Sequence, residues 1–179
     1  MHTYICLLRG INVSGQKKIK MADLKESLEK LNFKDVVTYI QSGNIVFKSE
    51  ITSISELEKQ IHDTILKDFG FDVPTLVKTP QQVSDAFEHN PFEKDATKDP
   101  KLFYVVFLKN KPQAENIAHL KSYDYSPEAY VLKDKIIYFY AANGAGNAKM
   151  SNNFFENKLK VQATTRNWRT TLKLIELSQ

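Results

Sequence analysis

The chain has one cysteine in 179 residues, Cys6, so no intramolecular disulfide can form, which fits a reducing compartment. Cys6 lies inside an apolar run and reads as a small buried hydrophobe. The four histidines, His2, His62, His89 and His119, are scattered with no partner at ligand spacing, so no metal site is expected. No cofactor is expected either. Long apolar stretches are missing: the run in MHTYICLLRG breaks at Arg9, too short for a membrane span or a secretory leader. A cytoplasmic location without membrane association is the expectation. The segment 141–151, AANGAGNAKMS, lacks the Gly-Lys-Ser/Thr ending of a nucleotide-binding P-loop and the third glycine of a dinucleotide fingerprint, so it reads as a flexible turn.

Charge, by contrast, is present and unevenly placed. The chain carries 25 Lys and Arg against 21 Asp and Glu, a net +4. Residues 9–20 hold Arg9, Lys17, Lys18 and Lys20 with no acid, and residues 157–175 hold Lys158, Lys160, Arg166, Arg169 and Lys173, again with none. Without those nine cations the remainder is 16 bases against 21 acids, or −5. The positive charge is therefore local, and each segment leads into an expected helix. Helix N-termini present unpaired N–H groups and the positive end of a dipole, so these junctions suit an anion.

Periodicity sets the expected fold, and 42% hydrophobic residues suffice for a core in one domain or two small lobes. TYICLLR reads as a strand, and Met21, Leu24, Leu28 and Leu31 follow at helical spacing. VVTYIQ and IVFK flank Ser42-Gly43-Asn44, the signal of a hairpin with a tight two-residue turn. Ser53 and Glu56 form a capping box ahead of a helix that ends at Gly70, and VPTLVK is the next strand. The order β-α-β-β-α-β is the ferredoxin-like unit. Thr79-Pro80 opens a further helix, and the polar, proline-bounded stretch 90–100 marks a boundary.

The pattern then repeats. LFYVVFL, a helix after Pro112, EAYVL and IIYFYA around Lys133-Asp134-Lys135, and a helix with Phe154, Phe155 and Leu159 give β-α-β-β-α. In place of a last strand, a helix from about Arg166 to Leu177 is expected, with Trp168, Leu172 and Ile175 on its apolar face. The expected fold is α+β, two ferredoxin-like lobes with the second copy incomplete and closed by a C-terminal helix. The lobes span 1–79 and 101–179, and a connecting helix and linker cover 80–100. Both opening strands are apolar on each face, which predicts burial on both sides.

The topology brings the end of the first strand, the start of the first helix and the hairpin to one sheet edge. Arg9, Gly10, Asn12, Lys17, Lys18, Gln41, Ser42 and Asn44 are the candidate ligand-binding residues there, the glycine by backbone approach, the lysines by charge and the asparagines by directional hydrogen bonds. The alternative is a solvated basic loop beside an ordinary hairpin. Thr165, Arg166 and Asn167 are added from the second segment. Arg166 in a first helical turn opposes the dipole, which calls for a partner, either an anionic ligand or a carboxylate such as Asp124 or Glu156. Neither segment contains a general acid or base with a neutral-range pKa, which favours binding over catalysis. The aromatic pattern of an RNA-recognition motif is absent, with Phe47 alone in NIVFK.

RGINVSGQKKIKMADL, VVTYIQSGNIVF and ATTRNWRT together resemble the signature of a bacterial family, domain of unknown function 1697, over essentially the whole chain. The resemblance implies a cytoplasmic bacterial protein of duplicated ferredoxin-like fold and brings no established activity. It matches Arg9, Gly10, Asn12, Gly15, Lys18, Met21, Gln41, Ser42, Gly43, Asn44, Thr165, Arg166, Asn167 and Trp168. The leading expectation is a phosphate-bearing partner, nucleotide or nucleic acid. An enzyme acting on a small anionic metabolite through Ser42 or Lys17, or a protein-interaction module, remains the alternative.

Overall fold

A computed structural model describes residues Met1–Gln179. The first sheet is built from β1 (His2–Leu8), β2 (Lys34–Tyr39), β3 (Asn44–Ser49) and β4 (Thr75–Lys78), with α1 (Met21–Glu29) and α2 (Ile54–Phe69) as crossovers. Its strand order is β2-β3-β1-β4, the ferredoxin-like arrangement, with every pairing antiparallel. The second sheet contains β5 (Phe103–Leu108), β6 (Ala129–Lys133), β7 (Ile136–Tyr140) and β8 (Ala163–Asn167), with α4 (Ala114–Lys121) and α5 (Asn152–Leu159). Its order, β6-β7-β5-β8, repeats the first. α3 (Pro80–Glu88) and α6 (Trp168–Leu177) complete the chain.

The duplicated ferredoxin-like architecture is thus observed, with one correction: the second copy has its fourth strand. ATTRN pairs with β5 from Tyr104↔Asn167 to Leu108↔Ala163. Two consecutive threonines favour extended backbone, and the helix starts two residues after Arg166 because Asn167 caps it, accepting from the Thr170 N–H at 2.8 Å. The expected apolar face of that helix shifts too. Leu172 is 41% exposed, whereas Thr171 and Leu174 are buried.

The chain divides into two compact units, Met1–Ser84 with Lys173–Gln179, and Asp85–Leu172. These divisions fall inside α3 and α6. In the first unit, Tyr4, Cys6 and Leu8 of β1 join Leu24, Leu28, Leu57, Ile61 and Ile65 of the two crossover helices in one core. Ile5 and Leu7, on the other face of β1, are equally buried. In the second unit, Val106 and Leu108 pack with Leu120, Phe155 and Leu159. On the opposite face, Phe103 meets the Trp168 ring edge-on at 6.0 Å, and Phe87 stacks on Trp168 at 4.2 Å. Trp168 is half-buried and packs against these two rings.

α2 follows its sequence signals closely. Ser53 accepts from the Glu56 N–H at 3.3 Å, and Gly70 ends the helix in the left-handed conformation at φ 73°. The hairpin turn is longer than expected. Tyr39 pairs with Asn44, which leaves a loop of residues 40–43 in place of a two-residue turn. Ile40 sits there at φ 51°, a position that β-branched residues rarely hold. Gly43 is at φ 77° and buried, and an added Cβ would stand 2.6 Å from the Leu8 Cβ and 3.1 Å from two Ile11 side-chain carbons. The glycine is required by both backbone and space.

Candidate functional site

In the first unit, the basic loop is a shaped object rather than a slack connection. Gly10, Asn12, Ser14, Gly15 and Lys17 all have positive φ, so the chain doubles back repeatedly between β1 and α1. Val13 and Gln16 bridge across the tip, and the Asn12 N–H donates to the Lys17 carbonyl at 3.2 Å. The Asn12 side chain ties the loop together. Its amide donates to the Ile19 and Gln41 carbonyls, each at 2.9 Å, and its oxygen accepts from the Ile19 N–H at 2.9 Å. The base of the loop is fixed as well, with the Leu8 N–H donating to the Gly43 carbonyl at 2.8 Å and the Arg9 N–H to the Pro74 carbonyl at 3.0 Å.

The loop and the hairpin therefore do meet, through Asn12 and Gln41 and through Gly43 against Leu8. Asn44 is fully buried and donates to the Tyr39 carbonyl at 3.1 Å and the Ser42 Oγ at 2.9 Å. Asn12 and Asn44 hold the scaffold with the groups that sequence reasoning assigned to a ligand. Lys17 donates to the Asp72 carbonyl, an anchor absent from the expected set. Lys18, Lys20, Gln41 and Gly10 are exposed, and Arg9 and Ser42 are half-buried.

The start of α1 lies at the end of this loop. Its N-cap residue is Lys20, extended at ψ 129° and making no side-chain capping bond, since an ammonium cannot accept one. The orphan N–H groups of the first turn are left at the positive end of the helix dipole, next to Lys18 and Lys20. Asp23 is the one acid in that turn.

Thr165, Arg166 and Asn167 belong to the second unit and form a group of their own. Arg166 is not at a helix start. It lies in β8, 7% exposed, opposite Val105, and its Nη1 donates to Thr164 Oγ1 at 2.7 Å and to the Thr165 carbonyl at 2.9 Å. The dipole penalty expected for it does not arise, because the strand ends before the helix begins. Thr165 donates to Asn152 Oδ1 at 2.9 Å, and Asn152 donates to the Ala163 carbonyl at 3.1 Å, so the first turn of α5 secures β8.

The turn at 141–151 holds a feature that its sequence did not reveal. Glu128, 6% exposed, accepts from the Lys149 N–H at 2.7 Å and from the Met150 N–H at 3.0 Å. The backbone amides ahead of α5 thus hold a carboxylate of the protein itself. A lone glutamate 21 residues upstream carries no motif signal. No group of three or more His, Cys, Asp or Glu side chains stands in metal-binding geometry, and no helix is long and apolar enough to cross a membrane.

Two antiparallel four-stranded sheets in the same order, each with two crossover helices, define a duplicated ferredoxin-like α+β protein. Residues 1–138 match the family described as protein of unknown function DUF1697, and the chain belongs to that family. The conserved bacterial protein SP0830 from Streptococcus pneumoniae has a similar structure, with a TM-score of 0.74 at 23% identity over 99% of this chain and 98% of that one. At that identity the likeness speaks for the fold. No curated protein matches.

Proposed function

We propose that this protein is a cytoplasmic anion binder that takes a phosphate-bearing ligand, nucleotide or nucleic acid, at the start of α1. The observation that carries this reading is the α1 N-terminus, which lacks a side-chain cap and emerges from a loop with exposed Lys18 and Lys20. A phosphate there would accept from first-turn N–H groups and neutralise the two ammonium groups. Arg9 and Gly10 line the entrance of the same loop, while Asn12, Ser42, Gln41 and Asn44 keep its shape. Lys17, bonded to the Asp72 carbonyl, anchors the loop to the segment that joins α2 to β4. Thr165, Arg166 and Asn167 act as scaffold in this reading, since their side chains are engaged within the second unit.

Binding isotherms of adenosine triphosphate and of a short single-stranded oligonucleotide, each at several salt concentrations, test the proposal. Oligonucleotide affinity that falls steeply with salt supports a nucleic-acid ligand. Saturable binding of the nucleotide with a shallow salt slope supports a small-molecule site. Absence of binding by either refutes the reading.

A further inference from the structure

We propose that the basic loop is held by a pH-responsive clasp, in which protonated His62 secures the segment that anchors the loop. That segment, 70–74, joins α2 to β4 and meets the loop at two points: the Arg9 N–H donates to the Pro74 carbonyl at 3.0 Å, and the half-buried Lys17 donates to the Asp72 carbonyl. On its other side the segment is tied to α2. His62 is half-buried between two carboxylates, with Nε2 2.9 Å from Asp72 and Nδ1 3.1 Å from Asp63. Asp72 is thus joined to α2 by its side chain and to the basic loop by its backbone.

A ring with a carboxylate at each nitrogen has a donor for both only when it carries two protons. The charged groups around it are Asp63 on its own helix, with Lys59 bonded to that carboxylate, and Asp72, with Lys17 of the loop beyond it; α1 and β4, which pack on α2, bring none to the ring. Loss of one proton leaves a lone pair facing a carboxylate and removes the charge that holds Asp72, whose next cation is Lys17. The Asp72 carboxylate then competes with its own carbonyl for the Lys17 ammonium. Lys17 itself sits at φ 43°, a conformation a lysine keeps only while its surroundings impose it. The bond to Asp72 is the main cause of a raised His62 pKa, so the clasp is closed below about 6.5 and opens as pH rises through the folded value. The consequence for binding rests on the reading of the loop as an anion site: a secured loop beside a charged ring favours an anion, so affinity falls as the clasp opens.

The test is an amide-resolved NMR titration of the full chain without ligand, between about pH 5 and 8. The Arg9, Lys17 and Lys18 amides are expected to shift with the midpoint of the His62 ring. His62→Gln should abolish that transition, and the exposed Asp72→Asn, which keeps the carbonyl that Lys17 uses, should reduce its amplitude several-fold. Loop amides that stay fixed through the His62 transition, that move with another midpoint, or that titrate unchanged in either variant would overturn the proposal. Adenosine triphosphate affinity, measured at both ends of the range, should fall several-fold more in the wild type than in His62→Gln. An equal fall would overturn the regulation, whereas no binding at either pH would refute the anion site and leave the loop titration to decide on the clasp.

Discussion

The two lobes share a strand order but elaborate different corners of it. In the first, the excursion follows β1, where residues 9–20 separate the strand from α1; in the second, the same junction, 109–113, is a short link. The second lobe has its long turn ahead of α5, at 141–151. There the helix start is satisfied from within: Ser151 accepts from the Phe154 N–H at 3.2 Å, and Glu128 holds the Lys149 and Met150 N–H groups. At α1 the cap is a lysine and more lysines stand beside it. One lobe caps its helix start with Ser151 and fills the turn before it with its own carboxylate; the other leaves the start to solvent or a ligand. A shared topology thus fixes where helix termini lie, and local sequence decides whether they are filled.

The first lobe is most easily broken at the contact between hairpin and loop. Gly43→Val should destabilise it by about 3 kcal/mol or more, because positive φ and the overlap with Leu8 add together. Chemical denaturation would show this, and an unchanged midpoint would mean that the hairpin can retreat from Leu8. The matching break in the second lobe is Glu128→Ala, which leaves two amides without their acceptor, that of Met150 in a buried position. A loss of roughly 3 kcal/mol is expected, with faster hydrogen exchange at Met150 as the local sign. If added acetate restored exchange protection, the view of that turn as a filled anion site would sharpen.

Asn12→Ala should cost about 2 kcal/mol, since it removes three hydrogen bonds at a half-buried position. Amide shifts should then spread to Gln41 across the gap to the hairpin; shifts confined to the loop would separate loop from hairpin. The smallest effect expected is one of pH. His62 donates through its two nitrogens to Asp72 at 2.9 Å and Asp63 at 3.1 Å, which requires the protonated ring, and the hydrogen bond to Asp72 is the main cause of its raised pKa. With the folded pKa above the unfolded one, this contribution to stability is complete below the ordinary histidine range of about 6.5 and is lost as pH rises through the folded value. An NMR titration of His62 should give a midpoint above that of a free histidine, and Asp72→Asn should lower it.

Most of this fold was legible in the sequence because its signals are local. The apolar faces of β1 and β5, the Ser53 cap and Gly70 are each read from neighbouring residues, and each is where expected. β8 was not, because Ala163-Thr164-Thr165-Arg166-Asn167 has no alternating apolar pattern and leads directly into a helix; its pairing depends on β5, far away in the chain. The missed signal is the threonine pair followed by an asparagine able to cap. Within the candidate site, the meeting of loop and hairpin followed from topology, but the uses of Asn12, Asn44 and Lys17 did not. An exposed asparagine that binds a ligand and a half-buried one that secures a loop have the same sequence signature, and only the carbonyls of Ile19, Gln41 and Tyr39 distinguish them.

The contrast between a filled and an open helix start is tested most directly by thermal melts of the wild-type protein and the Lys18→Ala/Lys20→Ala double variant, with and without adenosine triphosphate or the oligonucleotide. Both lysines are exposed, so the variant without ligand should match the wild type within about 0.5 kcal/mol. Ligand at a hundred times its Kd should stabilise the wild type by about 2.7 kcal/mol and leave the variant nearly unmoved. Equal ligand-induced shifts in the two proteins, or none in the wild type, would contradict the assignment of an open anion site to the start of α1.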